Sequence, residues 1–446
     1  MADTINYQYA GASSLTRNEK ESRLFLSKYS EIQKPTEAPC FFWGYLKDPY
    51  ILARCLITLS NVVQSTFQLS TLELRRLRDP IITAGNGKLR FEGFSHCAGA
   101  YARVDVLPEG LDGEFIESGT TNVDFNTPVI AALSRLRSTD KLLLAVGDKE
   151  MTLHQDGQKI TERKVPLPDK WIKGLASVQI YLSEAEEAYT FHQVEAIRLF
   201  QDIPRTFVKT DYYLITRGGK PAFSPVKTEG AVCVGGLHRL KVVEPLLPYI
   251  DKMKVFPHPS MQSTTWQFYL GNIRFSYTLS RDTSRGFSGE GATLRALTED
   301  IPEGILKAMD KYSYANQEFN PTLFSIDEGF DVEQTDRLTA RMAAMGLLGF
   351  DLDENRFFYR RLPFKPERIT GLNARLKGAD KLIVENKVKI ISRSGDRIEA
   401  RVEGSGVNHT VVIDQNHARC TCTWYSKYQG ERGICKHVFA VKKIIR

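Results

Sequence analysis

The sequence predicts an α+β, multidomain chain. Its parts are a β-rich body with a candidate internal duplication, a winged-helix-like segment, and a small C-terminal ββα module. Three observations carry this. Strand-like and helix-like apolar periods alternate through the chain instead of segregating. Turn signals such as Gly85-Asn86-Gly87 separate short β-rich runs. The C-terminal stretch Arg419–Arg446 holds Cys420-Thr-Cys422, twelve intervening residues, then Cys435-Lys-His437.

Composition bounds the class. The 446 residues are 42% hydrophobic and 25% charged, as in ordinary globular proteins, and are enough for about two to four domains. No apolar run reaches transmembrane length, so no membrane role is expected. The polar N-terminus lacks an apolar signal core, and Cys40, Cys55, Cys97 and Cys233 are scattered without disulfide spacing. Both point to a reducing cytoplasm, where the C-terminal thiols stay free for metal. The net charge of +7 is uneven: 355–446 carries +12 and the remainder −5. A basic terminal region reads either as a nucleic-acid footprint or as a solvated surface balancing an anionic metal site.

In chain order, residues 1–35 read as a mobile arm. A first α+β unit follows over 36–200. Cys40–Leu46 is aromatic and core-like. Asp48-Pro49 opens a helix whose apolar residues run from Ile51 to Phe67 at helical spacing. Leu72–Val106 is β in character, with His96-Cys97 a pair that no second ligand pair accompanies. A helix over Thr127–Arg137 precedes the strand-like runs LLLAVG, KEMTLHQDG and RKVPLP. A second unit is expected over 201–300. Thr127–Ile130, Val146–Asp148 and Leu167–Leu175 recur in order as Glu244–Leu247, Leu270–Asn272 and Phe287–Leu297, which suggests duplication at about 120 residues. Gly286–Gly291 reads as a tight turn.

Over 301–366 the pattern becomes helix then hairpin. Asp331 and Gln334 have capping-box spacing, Gly346 is a natural helix stop, and Asp353-Glu354-Asn355 joins two apolar runs. With Arg337, Arg341, Arg356, Arg360 and Arg361 this suits a winged helix or a plain connector. Pro363 and Pro366 mark a linker.

The last module spans 377–446. Cys420, Cys422, Cys435 and His437 are the inventory of a closed four-coordinate site for one structural Zn²⁺. An i, i+2 pair on an extended segment points both thiols to one face, and Cys435 and His437 open a helix whose N-terminus favours thiolate. The intervening loop carries Trp424, Tyr425, Lys427, Tyr428 and Arg432, candidates for contact with a protein partner or stacking on nucleic-acid bases. P-loop, nucleophile-elbow, dinucleotide and H-E-x-x-H patterns are all missing, so a non-enzymatic role is expected, an unknown activity of the body being the weakest alternative.

The C-x-C-x(12)-C-x-H pattern resembles the SWIM zinc finger over about Lys377 to Arg446. The body also resembles a family of bacterial SWIM zinc-finger proteins, in PIITAGNGKLRFEGFSHCAGAYARVDVLPEGLDGEF, SGTTNVDF, KVPLPDKWIKGLASVQ and LTARMAAMGLLGFDLDENRFFYRRLPF. That resemblance implies an adaptor or scaffold working with a MoxR-type AAA+ ATPase and a von Willebrand A protein. SWIM modules are associated with both DNA and protein contacts, so the resemblance leaves that choice open.

Overall fold

A computed structural model describes residues 14–17, 22–26, 40–65, 80–122, 127–147 and 169–445, apart from 284, 299–300, 361, 363–365, 405, 416 and 431. The runs KEMTLHQDG and RKVPLP lie outside the described residues.

Where an arm was expected, strands β1 (Ser14–Arg17) and β2 (Ser22–Leu26) form an antiparallel pair. Strand β3 (Cys40–Leu46) leads into helix α1 (Pro49–Gln64). Pro49 suits the first helical position, and Leu52, Leu56, Leu59 and Val63 make a buried face. The chain turns extended at Ser65, short of Phe67. Strands β4 (Ile81–Gly85) and β5 (Lys88–Phe94) form the expected hairpin. Asn86 and Gly87 take φ of 47° and 71°, the left-handed pair that a tight hairpin turn needs. Strands β6 (Ala100–Val106), β7 (Leu111–Phe115) and β8 (Gly119–Asn122) follow, then α2 (Thr127–Ser134), β9 (Leu142–Gly147) and α3 (Asp169–Ser183). Helix α2 ends three residues before the expected Arg137.

Strand β10 (Tyr189–His192) passes directly into α4 (Gln193–Gln201). A small antiparallel sheet of β11 (Tyr212–Arg217), β12 (Lys220–Ser224) and β13 (Val232–Val234) precedes a 3-10 helix at Leu237–Tyr249. Then come β14 (Lys252–Pro257), β15 (Ser263–Leu270), β16 (Ile273–Ser280) and α5 (Ala292–Thr298).

Two sheets result. One has the order β1-β2-β9-β3-β7; the other is eight-stranded and antiparallel, β10-β14-β15-β16-β6-β5-β4-β8. A strand, a helix and three sheet strands occur twice, as β3-α1-β4-β5-β6 and β10-α4-β14-β15-β16, meeting where β6 pairs with β16. The segments matched in sequence do not occupy equivalent places. Val146 lies near the end of β9 in the smaller sheet, whereas Leu270 ends β15 in the larger.

The larger sheet is covered on both faces. One face is apolar and meets α1 and α4. A Cβ on Gly93 would lie 2.7 Å from Val63, so α1 crosses the sheet at a glycine. Phe200 of α4 sits edge-on to Trp266 and Phe268. The other face carries Arg90, Glu92, Arg103, Asp105 and Arg274, all fully buried.

That charged face is covered by α3 and by a winged-helix unit. Its elements are α6 (Glu303–Asn316), β17 (Glu318–Phe319), α7 (Pro321–Glu328), α8 (Val332–Ala344), β18 (Leu348–Asp351) and β19 (Arg356–Tyr359), with sheet order β17-β19-β18. Asp331 and Gln334 form the expected capping box, and Gly346 has φ of 78°. The unit docks by charge. Arg274 Nη2 lies 2.8 Å from Asp351 and its Nη1 3.1 Å from Asp353, Lys88 pairs with Glu318 and Glu354, Arg90 with Glu318, and Arg360 with Glu92. Burial alone would raise the Asp351 carboxyl, but Arg274, Arg103 and Arg90 hold it far below the usual carboxylate range. Glu318 is depressed for the same reason, by Arg90 and Lys88.

The C-terminal module has its own core, with Leu376, Ala379, Ile398, Val402, Val411, Val438 and Val441. Helices α9 (Pro366–Leu372) and α10 (Ala374–Val384) lead to strands β20 (Val388–Ser394), β21 (Arg397–Glu403), β22 (Asn408–Asp414) and β23 (His417–Cys420), in that order in one antiparallel sheet. Helices α11 (Thr423–Tyr428) and α12 (Lys436–Ile445) complete it. The module is thus larger than the expected ββα unit, with four strands and with α10 beside α12.

Candidate metal centre

Each ligand is placed by a local device. Cys420 is the last residue of β23, with its side chain turned into the module core beside Val411. Cys422, two residues on, is the N-cap of α11, and its sulfur accepts the Tyr425 N–H at 3.4 Å. Cys435 stands before α12, its carbonyl accepting the Phe439 N–H, and His437 lies in the first turn. Two of the three thiols therefore face helix N-termini, where backbone N–H groups favour negative charge.

All four side chains are buried, and their ligand atoms lie within 4.8 Å of one another. The Cys420 sulfur is 3.7 Å from His437 Nδ1. Bonds of about 2.3 Å to sulfur and about 2.1 Å to nitrogen at a tetrahedral ion would set those atoms about 3.6 Å apart. The donor set thus fits one closed metal ion, with Nδ1 as the imidazole ligand. Nε2 of His437 is buried without a hydrogen-bond partner among the described residues, and the His409 and His437 ring centres lie 4.4 Å apart. Without metal the three sulfurs compete for protons. The Cys420 thiol, by hydrogen bonding to Cys435, holds the latter down to about 4, while the Cys435 thiolate and burial push Cys420 up. A cation at the centre removes that competition, since each thiolate then meets positive charge.

The segment between the ligand pairs was expected as a loop, but Thr423–Tyr428 is a turn of helix. Trp424 is half-buried: its Nε1 donates to Gly433 O at 3.3 Å, and the guanidinium groups of Arg375 and Arg432 stack on its ring at 4.4 and 5.3 Å. Tyr428 packs on Trp424 and under Arg432. Tyr425 is half-buried and Lys427 exposed. The structure brings Trp424, Tyr428 and Arg432 together and leaves Lys427 as the one exposed side chain of the five, its ammonium 5.4 Å from the centre of the Tyr428 ring.

Two residues that sequence reasoning missed organise this segment. Arg375 Nη1 donates to the carbonyls of Arg432, Gly433 and Ile434, at 2.9 to 3.2 Å. Glu290, in the glycine-rich turn, pairs with both Arg375 and Arg432. Gly286, Gly289 and Gly291 in that turn all have positive φ, and a Cβ on Gly286 would lie 2.3 Å from Ala98 O. The turn therefore ties the body to the C-terminal module. Nothing local marks Glu290 or Arg375, because each acts across a long sequence separation.

No family model and no curated protein matches this chain. Among solved structures it is similar to the Proliferating Cellular Nuclear Antigen of Entamoeba histolytica. The identity is 11%, the TM-score 0.34, and the match covers 54% of this chain and 98% of that one. Likeness at this level is one of partial chain trace and implies no shared partner. No helix among the described residues is long and apolar enough to cross a membrane.

Proposed function

We propose that this chain is a zinc-stabilised interaction protein, an adaptor whose C-terminal SWIM-type module presents surfaces to a protein partner. Three thiolates and one imidazole are the donor set that zinc takes in structural sites, and four protein ligands leave no open position for catalysis. One observation carries the preference for protein over nucleic acid. In a helix-turn-helix the second helix enters the groove. Here α8 packs on α3, α5 and α7, and its exposed residues include Glu333 and Asp336. The turn that would be the wing carries Asp353 and Glu354, both spent on Arg274, Lys88 and Lys254. The winged-helix unit thus has its wing turn packed on the body, and α8 exposes Glu333 and Asp336 against one base, Arg337. The family resemblance adds the kind of partner, a MoxR-type AAA+ ATPase or a von Willebrand A protein.

The test is affinity purification of the full chain from its native cell, with nuclease and at high salt. A protein partner that survives both treatments and is lost on zinc chelation is the expected result. Retention of nucleic acid at physiological salt, with no protein partner, would reverse the reading, since phosphate contacts weaken steeply with salt.

A further inference from the structure

We infer that the free edge of β20 is a docking site for an extended, acidic segment of a partner protein, which adds to the module's sheet as a fifth strand. Among the described residues strand β20 pairs only with β21, and six of its seven residues are exposed. Ile390 and Ile391 are 40% and 55% exposed. Register fixes what a fifth strand would meet. Lys389 lies directly across from Arg401, so two cations are neighbours on the outer face of the sheet. Neither has an ion-pair partner among the described residues. Like charges placed opposite destabilise a sheet, and a carboxylate on the next strand relieves them. The following row runs Ile390, Ala400, Val411, Cys420, on the core side. An apolar residue beside Ile390 would extend that row and cover it.

The incoming strand should therefore alternate acidic and apolar residues, with backbone hydrogen bonds supplying affinity and the alternation supplying selectivity. Basic residues and a bulge are also how proteins blunt an edge against pairing, and β20 has both, the bulge between Ile390 and Ser392. Blunting does not account for two adjacent exposed isoleucines. Nor does a second copy suit the edge, because a partner β20 would add Lys389 and Arg393 to an edge that already carries both, and the strand has no carboxylate to offset them.

This inference rests on reading the C-terminal module as a protein-binding one. The experiment uses the full-length, zinc-loaded chain and a labelled octapeptide of alternating Glu and Val, with a Lys-Val octapeptide as control. Titration by fluorescence anisotropy should show binding of the acidic peptide at least about tenfold tighter than the basic one, a gap of about 1.4 kcal/mol. Backbone amides over 389–394 should gain protection from hydrogen exchange. The double variant Lys389→Glu/Arg401→Glu, checked for zinc content, should reverse the preference. Equal binding of both peptides, unprotected β20 amides, or self-association through β20 would overturn the inference. A chain that ignores the peptide yet keeps its zinc-dependent complex at high salt loses this site and keeps the broader reading.

Discussion

At Cys435 the backbone and the metal chemistry agree. The residue precedes α12, its sulfur sits at the helix N-terminus, and its thiol is the most easily ionised of the three. Metal binding must still strip protons from Cys420 and Cys422, both of which burial and neighbours raise. Affinity should thus fall as pH is lowered, with protons released on uptake. Fresh, reduced protein should hold about one equivalent of zinc, and Cys435→Ser should hold well below that. Elemental analysis with a thiol assay decides it; unchanged content in the variant would sink the assignment. Trp424 shows why a single aromatic is hard to read in isolation. Its ring is already occupied by Arg375 and Arg432, so Trp424→Ala should cost the module about 2 kcal/mol from the lost stacking and hydrogen bond. That loss would appear in thermal melting of the free chain before any partner is added.

At the scale of elements, the charged face of the eight-stranded sheet is the main lesson. Strand β5 alternates Arg90 and Glu92 with Leu89 and Phe91, a pattern that half-solvated strands share. Both faces are nevertheless buried, because β17, β18 and the β18–β19 turn bring Glu318, Asp351, Asp353 and Glu354 onto the cations. Asp351→Asn would leave Arg274, Arg103 and Arg90 facing one another with less compensation. Removing one partner of such a buried set costs about 3–5 kcal/mol, and chemical denaturation should show it as a lower midpoint. The pH response has a definite sign. Asp351 and Glu318 are depressed in the fold, so their contribution is fully present above the ordinary carboxylate range. It is lost as pH falls from about 4 toward their folded values. Undocking of the winged-helix unit should therefore appear in acid, read as new proteolysis within 301–360 below about pH 4. An acid profile identical to that of Asp351→Asn would contradict this account.

Across the whole molecule, two cores differ in what holds them. The larger spans the sheets and the winged-helix unit, while the C-terminal core includes the three cysteines themselves. A module of about seventy residues has little apolar surface to spare, so a structural metal should supply much of its stability. Chelation should make the chain after Pro366 protease-sensitive and leave a stable fragment of the body. Uniform resistance would contradict this. Because Leu294 of α5 belongs to the C-terminal core and Glu290 pairs with Arg375 and Arg432, the cleaved body should also show faster amide exchange over 286–298.

What the sequence by itself determined is what neighbours in the chain can encode. The ligand quartet, the Asn86-Gly87 hairpin, the Pro49 start of α1, the Asp331 capping box and the Gly346 stop all depend on dihedral preference or on spacing of a few residues, and each is where it was expected. Only tertiary structure decided the rest. Asp351 meets Arg274 at a separation of 77 residues, and Arg103 donates to Phe350 O across 247. Lys389 meets Arg401 only through the register of a sheet. A charge in sequence carries no mark of which element will cover it, since the energy that pairs it exists only once the chain has closed the loop between them.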